Sequence, residues 1–263
     1  MHEFAFVFAG FAVGLVVGLT GVGGGSLMTP ILIFFFGVKP HLAIGTDLLF
    51  AAFTKMGGTV SLARTRMVDW KIVGQTAAGS IPAALATLYA LNLLGPASPA
   101  AHALMTTTLG IALLLTAAAM LYKAVYGKSA PRDIAPADLG AATQARHWAL
   151  PILFGAVIGI LVTITSVGAG AIGVIVLMLL YPALPLPRIV AADIAHAVPL
   201  TLVAGLGHAS IGSVDWVLLA KLLAGSLPGI WLGSRLVTST PDRWIRSLLS
   251  VLLAYAGVKL IAI

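Results

Sequence analysis

The chain has 263 residues, of which 60% are hydrophobic and only 9% charged, with a mean hydropathy of +1.07. An ordinary water-soluble domain carries charge on roughly a quarter of its residues, so this composition excludes one. A bilayer span takes about 20 apolar residues, which allows at most about a dozen helices and leaves almost nothing for a soluble domain. The 15 Lys and Arg exceed the 8 Asp and Glu by +7. They fall in short loops between apolar runs and not on a surface interleaved with aromatics, so the excess reads as a topology signal and excludes nucleic acid as a partner. With no cysteine there is no disulfide, thiolate metal site or cysteine nucleophile.

The first apolar run, about 4 to 19, follows only His2 and Glu3, with no basic segment and no clear small-x-small cleavage site; it reads as a retained membrane helix. A loop, Thr20-Gly21-Val22-Gly23-Gly24-Gly25-Ser26, leads to a run of about 27 to 37 that is too short to cross. Runs near 42 to 63, 71 to 93 and 101 to 125 reach or approach spanning length. The stretch 127–147, with Lys128, Pro131, Arg132, Asp133, Pro136, Asp138 and Arg146, is polar throughout and reads as a linker.

Beyond it the chain repeats. A shift of 145 superposes Gly10, Gly14, Val22, Gly23 and Gly25 on Gly155, Gly159, Val167, Gly168 and Gly170. A shift of 146 superposes Asp47 on Asp193, Val68-Asp69-Trp70 on Val214-Asp215-Trp216, and Gly79-Ser80 with Pro82 on Gly225-Ser226 with Pro228. The short second run recurs at about 171 to 181 behind Thr165-Ser166-Val167-Gly168-Ala169-Gly170. The expected fold is an all-α polytopic membrane protein of two repeats, 1–126 and 148–263, each of about five helical elements with a short broken or re-entrant pair.

Charge sets the orientation. Arg64, Arg66, Lys71, Lys123, Lys128, Arg132, Arg146, Arg188, Arg235, Arg243 and Arg246 share one face if each half has five elements, leaving Lys39 and Lys259 on the other. The positive-inside tendency then makes the linker cytoplasmic and both termini extracytoplasmic. An odd number of elements per half also requires the repeats to be inverted, so charge and repeat agree.

A helix that starts inside the membrane leaves its first N–H groups unpaired and carries partial positive charge, which suits an anion. The candidate anion-binding residues are therefore Gly21, Gly23, Gly24, Gly25 and Ser26 in one half, Thr165, Ser166, Gly168 and Gly170 in the other, and Thr46 beside Asp47. Gly14 and Gly18 read instead as small residues that let helices pack closely.

An ionisable side chain at the bilayer centre costs on the order of 3 kcal/mol or more and usually marks a pathway. Asp47 and Asp193 occupy matching positions, Lys55 lies about two turns past Asp47, and His196 follows Asp193 by three residues, on one helix face. These four are the candidate coupling or gating residues, with protons as the candidate coupling ion. Lys221 reads as a snorkelling surface lysine, Trp70 and Trp216 as interface anchors, and Asp69 and Asp215 as helix caps. Asp193 and His196 supply two ligands without a third, so no metal is expected, and no cofactor.

The segments Gly14-Leu15-Val16-Val17-Gly18-Leu19-Thr20-Gly21-Val22-Gly23-Gly24-Gly25 with Pro30, Ala43-Ile44-Gly45-Thr46-Asp47-Leu48, Val68-Asp69-Trp70 and Gly79-Ser80-Ile81-Pro82 resemble those of the sulfite exporter TauE/SafE family of permeases. Asp47 departs from that pattern, standing where a serine or another neutral residue is more usual. The resemblance implies an inner-membrane secondary transporter of small sulfur-containing anions such as sulfite, thiosulfate or organosulfonates, and export by alternating access is the expected function. Proton-coupled uptake of a related organic anion and a cation carrier built on Asp47 and Asp193 are the alternatives. An intramembrane enzyme is set aside, since the chain has neither His-Glu-x-x-His nor Gly-x-Ser-x-Gly.

Overall fold

The computed structural model describes residues 2–20, 25–126, 148–168, 170–236 and 242–261. Among these it forms helices and no strands, which pairs each segment's backbone groups internally where lipid offers them no hydrogen-bond partner. In chain order the helices are α1 His2–Thr20, α2 Gly25–Phe36, α3 Pro40–Arg64, α4 Trp70–Leu94, α5 Pro99–Tyr126, α6 Ala149–Thr165, α7 Ala171–Leu180, α8 Leu186–Ser210, α9 Trp216–Leu236 and α10 Asp242–Ile261. The linker expected at 127–147 lies outside the described residues.

Among the described residues four stretches can cross a membrane by length and composition: Trp70–Leu94, Pro99–Tyr122, Leu186–Ser210 and Trp216–Gly233. The 25-residue α3 has the length but not the apolarity, because it carries Asp47 and Lys55. Those two residues are buried within the protein, not presented to its surroundings. The 12 residues of α2 and the 10 of α7 rise only about 15 to 18 Å at 1.5 Å per residue, against roughly 30 Å of hydrocarbon, so neither crosses.

The helix ends follow the sequence signals. Asp69 Oδ1 accepts the N–H groups of Lys71 and Ile72 at 3.1 and 3.3 Å, and Asp215 Oδ1 accepts that of Leu218 at 2.9 Å. Each carboxylate thereby pairs amides that the first helical turn leaves open. The adjoining Trp70 and Trp216 are exposed, as interface anchors would be.

Every long helix has its main partner on the other side of the linker: α1 packs on α9, α4 on α6, α3 on α8 and α5 on α10. Small residues set the first two crossings. A Cβ on Gly10 or Gly14 would strike the Leu222 or Ser226 carbonyl, and one on Gly155 or Gly159 would strike that of Thr76 or Ser80. Gly14 is therefore a packing glycine, as read from its spacing.

Two apolar clusters lie apart. One joins Met28 and Leu32 of α2 and Phe50 of α3 to Leu218 and Leu222 of α9; the other joins Val174 and Leu177 of α7 and Ile189 of α8 to Ile72 and Val73 of α4. Each closes a short helix of one half against the first turns of the fourth helix of the other.

The crossings predict a contrast within one helix. On α4 a Gly79→Ala methyl would land on the Ile152 backbone carbonyl, whereas at Gly74 it would meet nothing within 4 Å. Gly79→Ala is expected to lose about 1 to 3 kcal/mol, the usual cost of overpacking, and Gly74→Ala to hold or gain stability. Thermal unfolding of both variants in detergent checks this.

Candidate functional site

The middle of α3 is buried on nearly every side, and Asp47 there has no exposed surface. An isolated charge in that position would be costly, and the sequence supplies it with donors from α2. Thr29 gives both its backbone N–H, at 3.2 Å, and its hydroxyl, at 2.5 Å, to Asp47 Oδ2. Thr29 lies in the N-terminal part of α2, where the helix dipole favours negative charge. Ser166 faces the same carboxylate from the break after α6, yet Asp47 Oδ1 and Ser166 Oγ are both buried without completing a hydrogen bond.

The second half repeats the arrangement with different atoms. Asp193 of α8 is buried, and its carboxylate lies so close to Gly173 that a Cβ there would overlap it. Gly173 belongs to the first turn of α7. Each short helix is thus met near its start by a carboxylate from the helix that follows it, α2 at its fifth residue, Thr29, and α7 at its third, Gly173.

Lys55 and His196 complete the cluster. Lys55 is buried and in electrostatic reach of Asp193 first and Asp47 second, and its charge also reaches His196. His196 Nε2 lies 2.8 Å from Ser80 Oγ, with donor and acceptor set by the imidazole tautomer. Because Ser80 is on α4 and His196 on α8, the pair spans the two halves. All four expected coupling residues therefore lie in one buried region. Among the described residues no group of three His, Cys, Asp or Glu comes together that could hold a metal.

The expected anion-binding residues are distributed differently. Gly21, Gly23 and Gly24 lie outside the described residues, while Gly25 and Ser26 are the first two residues of α2. Gly168 and Gly170 form the break between α6 and α7, with φ of +129° and +130° that a side chain rarely tolerates. Thr165 Oγ1 is taken up locally, facing the carbonyls of Leu161 and Val167 at 2.6 and 3.0 Å and accepting the Val167 N–H at 3.1 Å. Thr46 Oγ1 accepts the backbone N–H of Asp215 at 3.0 Å, which ties α3 to the turn before α9.

Thr29, Ser80 and Gly173 were not singled out from the sequence. A lone Thr before Pro30 in an otherwise apolar short helix was the available signal for the first. Ser80 stood in a recognised repeat motif, with nothing local to show that its hydroxyl meets a histidine 116 residues away.

An all-helical bundle with apolar helices of membrane-crossing length and a charged cluster sealed in its middle is the build of a polytopic membrane transporter. The chain belongs to the sulfite exporter TauE/SafE family, whose family model matches residues 6–260. It is 36% identical over 255 residues to the probable membrane transporter protein YjnA of Bacillus subtilis (strain 168), covering 97% of this chain and 98% of that protein. It is also 27% identical to the probable membrane transporter proteins YdhB and YunE of the same organism. The YdhB match covers 95% of this chain and 97% of the relative, and the YunE match 97% and 96%. No solved structure gives a significant match.

The Asp47 clamp predicts a stability effect. Thr29→Val keeps the shape and the backbone donor but removes the hydroxyl from a buried carboxylate. A loss of about 1.5 to 3 kcal/mol is expected, the range for a hydrogen bond to a charged group. Thermal unfolding measures it, and Thr29→Ser should recover most of the loss.

Proposed function

We propose that the chain is a secondary carrier that exports a small sulfur-containing anion by alternating access between two inverted halves. The observation that carries this reading is the matched pair of carboxylates set against the early turns of the two short helices, Asp47 hydrogen-bonded to Thr29 of α2 and Asp193 beside Gly173 of α7. Those turns attract negative charge. With the site empty of substrate they are served by the protein's own aspartates, and an arriving oxoanion takes over the donors when the aspartates move aside or gain protons. Lys55 supplies the buried positive charge that a permeating anion needs. Gly21, Gly23, Gly24, Gly25 and Ser26, with Ser166, Gly168 and Gly170, form the cradle in this reading; Thr46 and Thr165 go to the frame.

The packing supports the two-fold relation. Exchanging each element with its counterpart turns the α1–α9 contact into the α6–α4 contact and leaves α3–α8 and α5–α10 unchanged. The glycine crossings obey the same exchange, Gly14 on Ser226 becoming Gly159 on Ser80. Two inverted halves around one midplane site are the architecture of many carriers. The family's description names sulfite, which is the class of anion proposed here. The charge asymmetry of the loops supports a cytoplasmic linker at 127–147, extracytoplasmic termini and residence in the cell inner membrane.

Export of an anion can run on the inside-negative potential alone, worth about 2.3 kcal/mol per charge per 100 mV. The buried carboxylates favour one second reading, proton-coupled uptake through the same site. Anion flux in proteoliposomes, first with an imposed voltage and then with an imposed pH gradient, separates the two. Voltage-driven flux that ignores the pH gradient is expected for the exporter. Asp47→Asn and Asp193→Asn should retain anion binding; outright loss of binding would point to a cation carrier. Thermal shifts with sulfite, thiosulfate, sulfoacetate, taurine and sulfate identify the substrate, since a ligand that binds only the folded state raises the unfolding temperature.

A further inference from the structure

Two hydrogen bonds join the halves at opposite ends of α8, and neither has a counterpart in the repeat. At the start of α8, the hydroxyl of Tyr181, in the turn between α7 and α8, donates to Gln75 Oε1 of α4 at 3.0 Å. At the far end, the backbone N–H of Asp215, just before α9, donates to Thr46 Oγ1 of α3, also at 3.0 Å. The 25 residues of α8, about 37 Å long, run between the two regions and carry Asp193 and His196.

Each bond ties the fourth helix of one half, or the turn that opens it, to the short-helix and third-helix region of the other, beside one of the two apolar clusters. Tyr181 and Thr46 are both buried, Tyr181 being 1% exposed. Applying the repeat register to the first bond replaces Tyr181 with Phe36 and Gln75 with Lys221; applying it to the second replaces Thr46 with Ala192 and Asp215 with Asp69. Phe36 has no hydroxyl and stacks on Phe6 at 4.5 Å, and Ala192 has no side-chain acceptor. The two ends are sealed by equivalent apolar surfaces but fastened by unrelated polar contacts.

We propose that these two bonds are the latches of the inner and outer gates, Tyr181–Gln75 holding the cytoplasmic side shut and Thr46–Asp215 the outer side. The proposal rests on alternating access as set out above. With both bonds made, the polar cluster is closed at both ends, which is an occluded state. Opening either side breaks one neutral hydrogen bond and parts one apolar surface, moving no charge through the low-dielectric interior, so either gate can open while the other stays shut. Since the latches differ chemically, each can be cut without touching the other: Tyr181→Phe removes one hydroxyl, and Thr46→Val removes the other acceptor at almost constant volume.

The chain has no cysteine, so a Ser166→Cys reporter at the cluster is the sole thiol for a membrane-impermeant maleimide applied to right-side-out and to everted vesicles. Tyr181→Phe is expected to raise labelling from the cytoplasmic side alone, and Thr46→Val from the outer side alone, each by about two- to ten-fold, the factor that one net hydrogen bond contributes to an equilibrium. A Ser80→Cys reporter on the other face of the cluster should give the same pattern. A reporter reached from both sides in the parent but unmoved by either substitution would overturn the latches and leave alternating access standing. A reporter reached from one side only in all variants would overturn both.

Discussion

The structure turns on a single electrostatic constraint: two aspartates and a lysine are sealed inside a bundle whose surroundings cannot solvate their charged forms. Each of these charges is tolerable only where the fold supplies donors or an opposite charge. The fold does so with breaks. Ending α6 at Thr165 and restarting at Ala171 places the first turn of α7 inside the protein, and starting α2 at Gly25 does the same in the first half. Helix ends that would be a liability in lipid become the donors that hold Asp47 and receive Asp193. The close glycine crossings are the other side of this arrangement, because they bring α1 onto α9 and α4 onto α6 tightly enough to enclose the cluster.

Much of the frame was legible from the residues, because in a bilayer apolar length and helix are nearly the same statement. The expected runs of 42 to 63, 71 to 93 and 171 to 181 correspond to α3, α4 and α7 within a few residues. Asp69 and Asp215 cap where a carboxylate before a helix should. The membrane-transporter class and the family were legible too, through glycine and Val-Asp-Trp motifs. In the sequence the hydroxyls of Thr46 and Thr165 look available to a ligand; in the fold they also bond backbone groups, which no local signal announces.

What the residues did not disclose is whatever depends on distant pairing. His196 could be placed on one face with Asp193 from their spacing alone, but its contact with Ser80 crosses from α8 to α4 and has no local signature. The same holds for Tyr181 and Gln75, separated by 106 positions. The repeat even argues against such pairs, since their register partners, Phe36 and Lys221, could not make them. The repeat in the sequence accounts for the matched carboxylates Asp47 and Asp193, and the hydrogen bonds between distant helices lie where the two copies differ.

The partner choice of α1 has a consequence for how the protein is made. Its glycine face closes on Leu222 and Ser226 of α9, so α1 leaves the ribosome about 210 residues ahead of its mate. At 5 to 20 residues per second, roughly ten to forty seconds of synthesis separate them. Throughout that interval, surfaces shaped for intimate backbone contact face lipid or a passing chaperone. Neither half is a finished unit, and biogenesis must hold an incomplete bundle open until α9 and α10 arrive.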